Sequence, residues 1–78
     1  MSMEPWKWSA GQTRSWLETV LRDIEATTEP RLVDSLVMTG ADLCALGKED
    51  MMHLVPARVA LVVFNRLAKI KADAAHHT

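Results

Sequence analysis

A chain of 78 residues with 49% hydrophobic and 24% charged content makes one globular domain and excludes an intrinsically disordered chain. Its formal net charge of −1 disfavours direct nucleic-acid binding, which draws its affinity from counterion release at a strongly basic surface. No apolar run approaches the roughly 18 residues of a membrane span. No signal-peptide pattern opens the chain, and the single cysteine, Cys44, has no internal partner and suits a reducing compartment.

The opening MSMEPWKWS contains Pro5 and two tryptophans, which suits an extended arm over residues 1–7 whose indoles fold back on a core. Ser9 is a good N-cap and Gln12 completes a capping box. Thr13, Trp16, Leu17, Val20, Leu21 and Ile24 follow at 3- and 4-residue spacing, which predicts a long amphipathic first helix. It should fade near Ala26, because Thr27 and Thr28 are poor interior residues. Pro30 fits the first turn of a second helix, whose buried face is Leu32, Val33, Leu36 and Val37. Thr39 is placed to cap a third helix with Asp42 in its first turn, Leu43 and Leu46 facing inward and Gly47 at its end. A fourth runs from about Lys48 to Leu54, opened by Glu49 and Asp50 and halted by Pro56. Helices this short are marginal alone and need longer neighbours to hold them. The last helix begins after Pro56 and runs toward Asp73, leaving 74–78 as a frayed tail. No period-two strand pattern and no repeat is present, so the fold class is all-α.

These residues resemble a known family. Trp8-Ser9 followed by Trp16-Leu17 is similar to the opening signature of SAM domains. The run Met38-Thr-Gly-Ala-Asp-Leu-Cys-Ala-Leu-Gly-Lys-Glu-Asp-Met51, then Val55-Pro56, resembles the Pointed variety found in Ets-family transcription factors. The similarity covers roughly residues 5 to 72 and rests mostly on core positions, which speak for fold more than for function. Two positions depart from the family pattern. Thr13 stands where an aliphatic residue is usual, and Pro56 leads into Ala-Arg-Val-Ala-Leu where Gly-Asp is usual, which leaves the register of the last helix open by one residue.

The resemblance implies a compact five-helix bundle over residues 8–73 that binds SAM domains of other proteins, an Ets-family repressor such as Yan among them. It implies a role in transcription regulation and a nuclear location, with the cytoplasm as an additional one. In polymer-forming members a mid-loop surface of one domain receives an end-helix surface of the next, and such a heterologous contact does not close, so it builds filaments.

Two residues stand out. On the last helix, at about 100° per residue, Val59, Ala60, Val63, Phe64, Leu67 and Ile70 form one apolar arc. Val62 falls within the opposite, polar arc and Leu61 on its border. A lone exposed valine is ordinary, but Arg58, Arg66 and Lys69 surround this one with Asn65 close by, an apolar knob in a basic ring as at a small protein-binding patch. The family's end-helix surface centres on a valine that matches Val62, or Leu61 in the other register. Asp42 is explained by the helix dipole alone. In polymerising relatives, however, its position is small and apolar and lies at the centre of the mid-loop surface, to which Glu49 and Asp50 also belong. The expected result is a domain that keeps one adhesive surface and loses the other, and so does not polymerise by itself.

Other chemistry is less well supported. Nothing in the spacing brings Cys44 and His53 together as a nucleophile and base, and Cys44, His53, His76 and His77 show no ligand spacing for a metal. No enzyme activity, small-molecule substrate, cofactor or metal is expected. Trp8 and Trp16 lie at core spacing, and one of Met51 and Met52 should pack inside. RNA-hairpin binding through Arg58, Arg66, Lys69 and Lys71, and MAP-kinase docking near Phe64, are the alternatives.

Overall fold

A computed structural model of the chain describes residues 4–24 and 30–76, and every regular element among them is helical. A 3-10 turn at Pro5–Lys7 precedes α1 (Ala10–Asp23), α2 (Pro30–Leu36), α3 (Gly40–Ala45), α4 (Lys48–Leu54) and α5 (Ala57–His76). This is the expected five-helix bundle with a long last helix. Its starts lie where local capping chemistry puts them. Ser9 Oγ accepts the Gln12 N–H at 3.2 Å while Gln12 Oε1 accepts the Ser9 N–H at 2.9 Å, so both arms of the capping box form. Thr39 Oγ1 accepts the Asp42 N–H at 3.3 Å to open α3. At α4 the Asp50 carboxylate accepts the Gly47 N–H at 3.1 Å. Glycine has no side chain to return the bond, so only this arm of a capping box exists there.

Three ends differ from expectation. α1 closes at Asp23 with Ile24 as its C-cap; Ala26, Thr27 and Thr28 lie outside the described residues. Gly47 caps the start of α4 and does not end α3, which closes one residue earlier when Leu46 N–H bonds the Leu43 carbonyl at 3.2 Å. α5 runs past Asp73 to His76 with Ala74 buried, so 74–76 are helical where a frayed tail was expected. The physical reason is the composition of that stretch: Ala72, Ala74 and Ala75 lose no side-chain entropy in a helix.

The core explains how two such short helices persist. Leu17 and Leu21 of α1, Leu36 of α2 and Val59 and Val63 of α5 are fully or almost fully buried in one cluster. Into it α3 inserts Leu43 and α4 inserts Met51, both at 0% exposure. Each such burial stabilises by about 1.5–3 kcal/mol, enough to offset the poor intrinsic stability of a one- or two-turn helix. Further support comes from the flanks, since α4 packs along α5 and α3 packs on the N-terminal 3-10 turn.

That last contact makes the Pro5–Lys7 turn part of the domain. Pro5 and Trp8 are buried, and the Trp8 ring lies against Trp16 with centroids 5.4 Å apart and planes inclined by 46°. The Gly40 N–H donates to the Trp8 carbonyl at 2.8 Å, joining the arm to the first residue of α3.

Thr13, the departure noted at the start of α1, is 0% exposed and its hydroxyl has no hydrogen-bond partner among the described residues. A buried hydroxyl without a partner costs about 1–3 kcal/mol. Thr13→Val replaces it with a methyl of similar shape at nearly equal helix propensity. The variant is expected to be more stable by about 1 kcal/mol, raising the melting temperature by roughly 4–8 °C in circular dichroism. An unchanged or lower melting temperature would show that the hydroxyl is satisfied.

Candidate interaction surfaces

On α5, Arg58, Asn65 and Lys69 are exposed, while Leu61, Val62 and Arg66 are half-buried. Val62 is therefore not the free-standing knob that a helical wheel suggests, since it packs against the core cluster. The reason is that α5 meets more than one neighbour: it contacts α4, α1 and the 3-10 turn, so more of its circumference is covered than a single apolar arc implies. Leu61 is half-buried as well and lies outside that cluster among the described residues.

The basic ring is also changed. Arg66 Nη1 donates to Asp23 Oδ2 at 2.8 Å across the α1–α5 seam, leaving Arg58 and Lys69 as cations without an ion-pair partner among the described residues. An exposed pair of this kind contributes little stability, about 0–1 kcal/mol, but it holds the guanidinium in one place. Lys71 is half-buried and donates to the Cys44 carbonyl at 3.3 Å, which turns it toward α3. The basic surface on which RNA binding depends is thus reduced to Arg58 and Lys69. Phe64, the residue considered for kinase docking, is half-buried against the core.

Val62, Arg66, Lys69 and Asp73 recur at 4-, 3- and 4-residue spacing and so form one stripe along α5. Beside its C-terminal half lies an open groove between α1 and α5, lined by Trp16, Thr19, Val20, Arg66, Lys69, Ile70 and Asp73. Sequence periodicity did not point to this groove. The only signals were Trp16 and Ile70, each near the edge of its helix's apolar arc.

The acidic residues belong to other helices. Asp42 is the third residue of α3 and exposed, with no ion-pair partner among the described residues. Glu49 and Asp50 are exposed in the first turn of α4, and Asp50 spends one oxygen on the Gly47 cap. α4 also presents two large apolar side chains, Met52 at 41% and Leu54 at 42% exposure, whereas Met51 is buried as one methionine of the pair was expected to be. Trp6 is 37% exposed, unlike Trp8.

Cys44 is half-buried on α3, and burial pushes its thiol up from the ordinary value, opposed by the nearby Lys71 charge. A thiol held protonated in this way is a poor nucleophile. His53 and His76 are exposed, His77 lies outside the described residues, and no group of three metal-binding side chains is assembled among the described residues. No helix among the described residues is long and apolar enough to cross a membrane.

Residues 1–74 match the family model of the Sterile alpha motif (SAM)/Pointed domain. No solved structure matches the chain.

Proposed function

The chain belongs to the SAM/Pointed family of protein-interaction domains, and from that premise we propose that it binds the SAM domain of another protein through α5 and caps its head-to-tail polymer. The observation that carries this reading is the exposed carboxylate of Asp42, which has no ion-pair partner among the described residues. Polymer-forming relatives place a small apolar residue at this position, at the centre of the surface that receives the next domain. Covering an unpaired carboxylate with an apolar partner costs about 3–5 kcal/mol, which is enough to remove that surface from assembly. The α5 surface retains an apolar centre at Val62 with Arg58 and Lys69 available at its edge. A domain with one working surface adds to a filament end and stops it.

In this reading the domain resembles Mae, the modulator of the activity of Ets, a stand-alone SAM protein that takes apart the polymer of the Ets-family repressor Yan. Its partner is then an Ets-family repressor, its effect is on transcription, and its place of action is the nucleus.

Sedimentation velocity provides the test. The chain alone is expected to sediment as a monomer at all concentrations, and adding it to polymeric Yan SAM domain should convert the polymer to small complexes. Val62→Arg and Arg58→Glu should each reduce that effect; because Val62 packs on the core, Arg58→Glu serves as the variant that leaves packing untouched. Filaments formed by the unmodified chain would overturn the proposal, as would undiminished depolymerisation by both variants.

A further inference from the structure

We infer that the groove between α1 and α5 is the second half of the binding face, and that it receives an amphipathic helix from the partner domain. The inference rests on the reading of α5 as the docking helix. The Val62 stripe continues through Arg66 and Lys69 to Asp73, and the last three of these form one rim of the groove. The floor is apolar: Val20 is buried, and Trp16 and Ile70 are half-buried against the same core cluster as Val62. A single partner surface lying on Val62 is therefore led along the stripe into the groove.

Charge identifies the occupant. Arg66 is already paired with Asp23, so its charge is spoken for and its position is set. Lys69 and Asp73 have no ion-pair partner among the described residues and stand one helical turn apart on the rim. From Arg66 to Asp73 is a rise of about 10 Å along the helix axis. A segment covering that length and satisfying both charges carries a carboxylate and, one turn away, a basic residue, with apolar side chains between them and the floor. That pattern is a two-turn amphipathic helix, laid into an apolar groove by one face. The volume of about 410 Å³ is ample for its anchoring side chains. Opposite signs one turn apart also select its direction, since reversing the helix places like charges together.

Thr19→Arg and Asp73→Lys test this against the Val62 and Arg58 end of α5, because both residues are exposed and line the groove, and Asp73 lies about three turns along the helix from Val62. Binding is measured by calorimetry against the Yan SAM domain, diluted below its polymerisation range, with circular dichroism melts to show that each variant is folded. Each is expected to weaken Kd by about tenfold or more, as loss of a central contact does. If both stay within about twofold of the unmodified chain while Arg58→Glu weakens binding, the groove is uncovered and this inference falls, leaving the α5 face intact. If the unmodified chain does not bind, the α5 reading falls first and the groove with it.

Discussion

Gly40→Ala is expected to destabilise the domain by about 3 kcal/mol, the upper end of overpacking effects. A Cβ at this position would collide with the Pro5 carbonyl oxygen and stand 2.9 Å from the Trp8 nitrogen. These are backbone atoms, so no rotamer change relieves the clash and the whole arm has to move. Moving it breaks the 2.8 Å bond from Gly40 N–H to the Trp8 carbonyl and disturbs Trp8, which is buried against Trp16. Small domains have only about 5–15 kcal/mol of total stability, and at roughly 4–8 °C per kcal/mol the melting temperature should drop by more than 10 °C. Tryptophan emission should shift to the red as Trp8 becomes hydrated. A melting temperature within two or three degrees of the unmodified chain would mean that the arm does not bear on α3 as described.

Gly40 also marks where sequence reading stops. The helix starts at Ala10, Gly40 and Lys48 follow from bonds spanning three residues, and such caps are written in adjacent letters. The need for glycine at 40 comes from an approach by Pro5 and Trp8, far away in the chain, and nothing near Gly40 announces it. Val62 shows the same limit on a helix face. Periodicity identified the deepest α5 residues correctly, Val59, Ala60, Val63 and Leu67, but it assigns a single buried arc, and α5 has neighbours on more than one side. The Arg66–Asp23 pair and the α1–α5 groove require knowing how two distant helices lie together. Thr13 falls between these cases. As a departure from the family pattern it was visible at once, yet its cost depends on the hydroxyl being both buried and unpartnered. The place of Asp42 is legible from sequence, because a carboxylate in the first turn of a short helix is set by neighbouring residues, and it is exposed there.

Asp42→Ala is expected to turn the monomer into a self-assembling chain, the largest change in behaviour that one substitution should produce here. On the proposed reading, removing the carboxylate removes a desolvation penalty of about 3–5 kcal/mol for covering the α3 surface, which corresponds to a factor of roughly a hundred or more in association. The monomer should meanwhile become slightly less stable. Asp42 lies in the first turn of α3, where its charge interacts favourably with the helix N-terminus, and losing it costs about 0.3–1 kcal/mol. A lower melting temperature combined with concentration-dependent sedimentation separates a gained surface from a general stabilisation, which would move both in the same direction. A second substitution separates head-to-tail assembly from non-specific aggregation of a loosened fold. Adding Arg58→Glu to Asp42→Ala removes the complementary surface on α5, so the double variant should return to a monomer if the assembly is head to tail. Asp42→Asn should assemble more weakly than Asp42→Ala, because the amide is neutral yet still needs partners when covered. A persistently monomeric Asp42→Ala protein would show that this carboxylate is simply a dipole-favoured helix residue and that some other feature decides whether the domain polymerises.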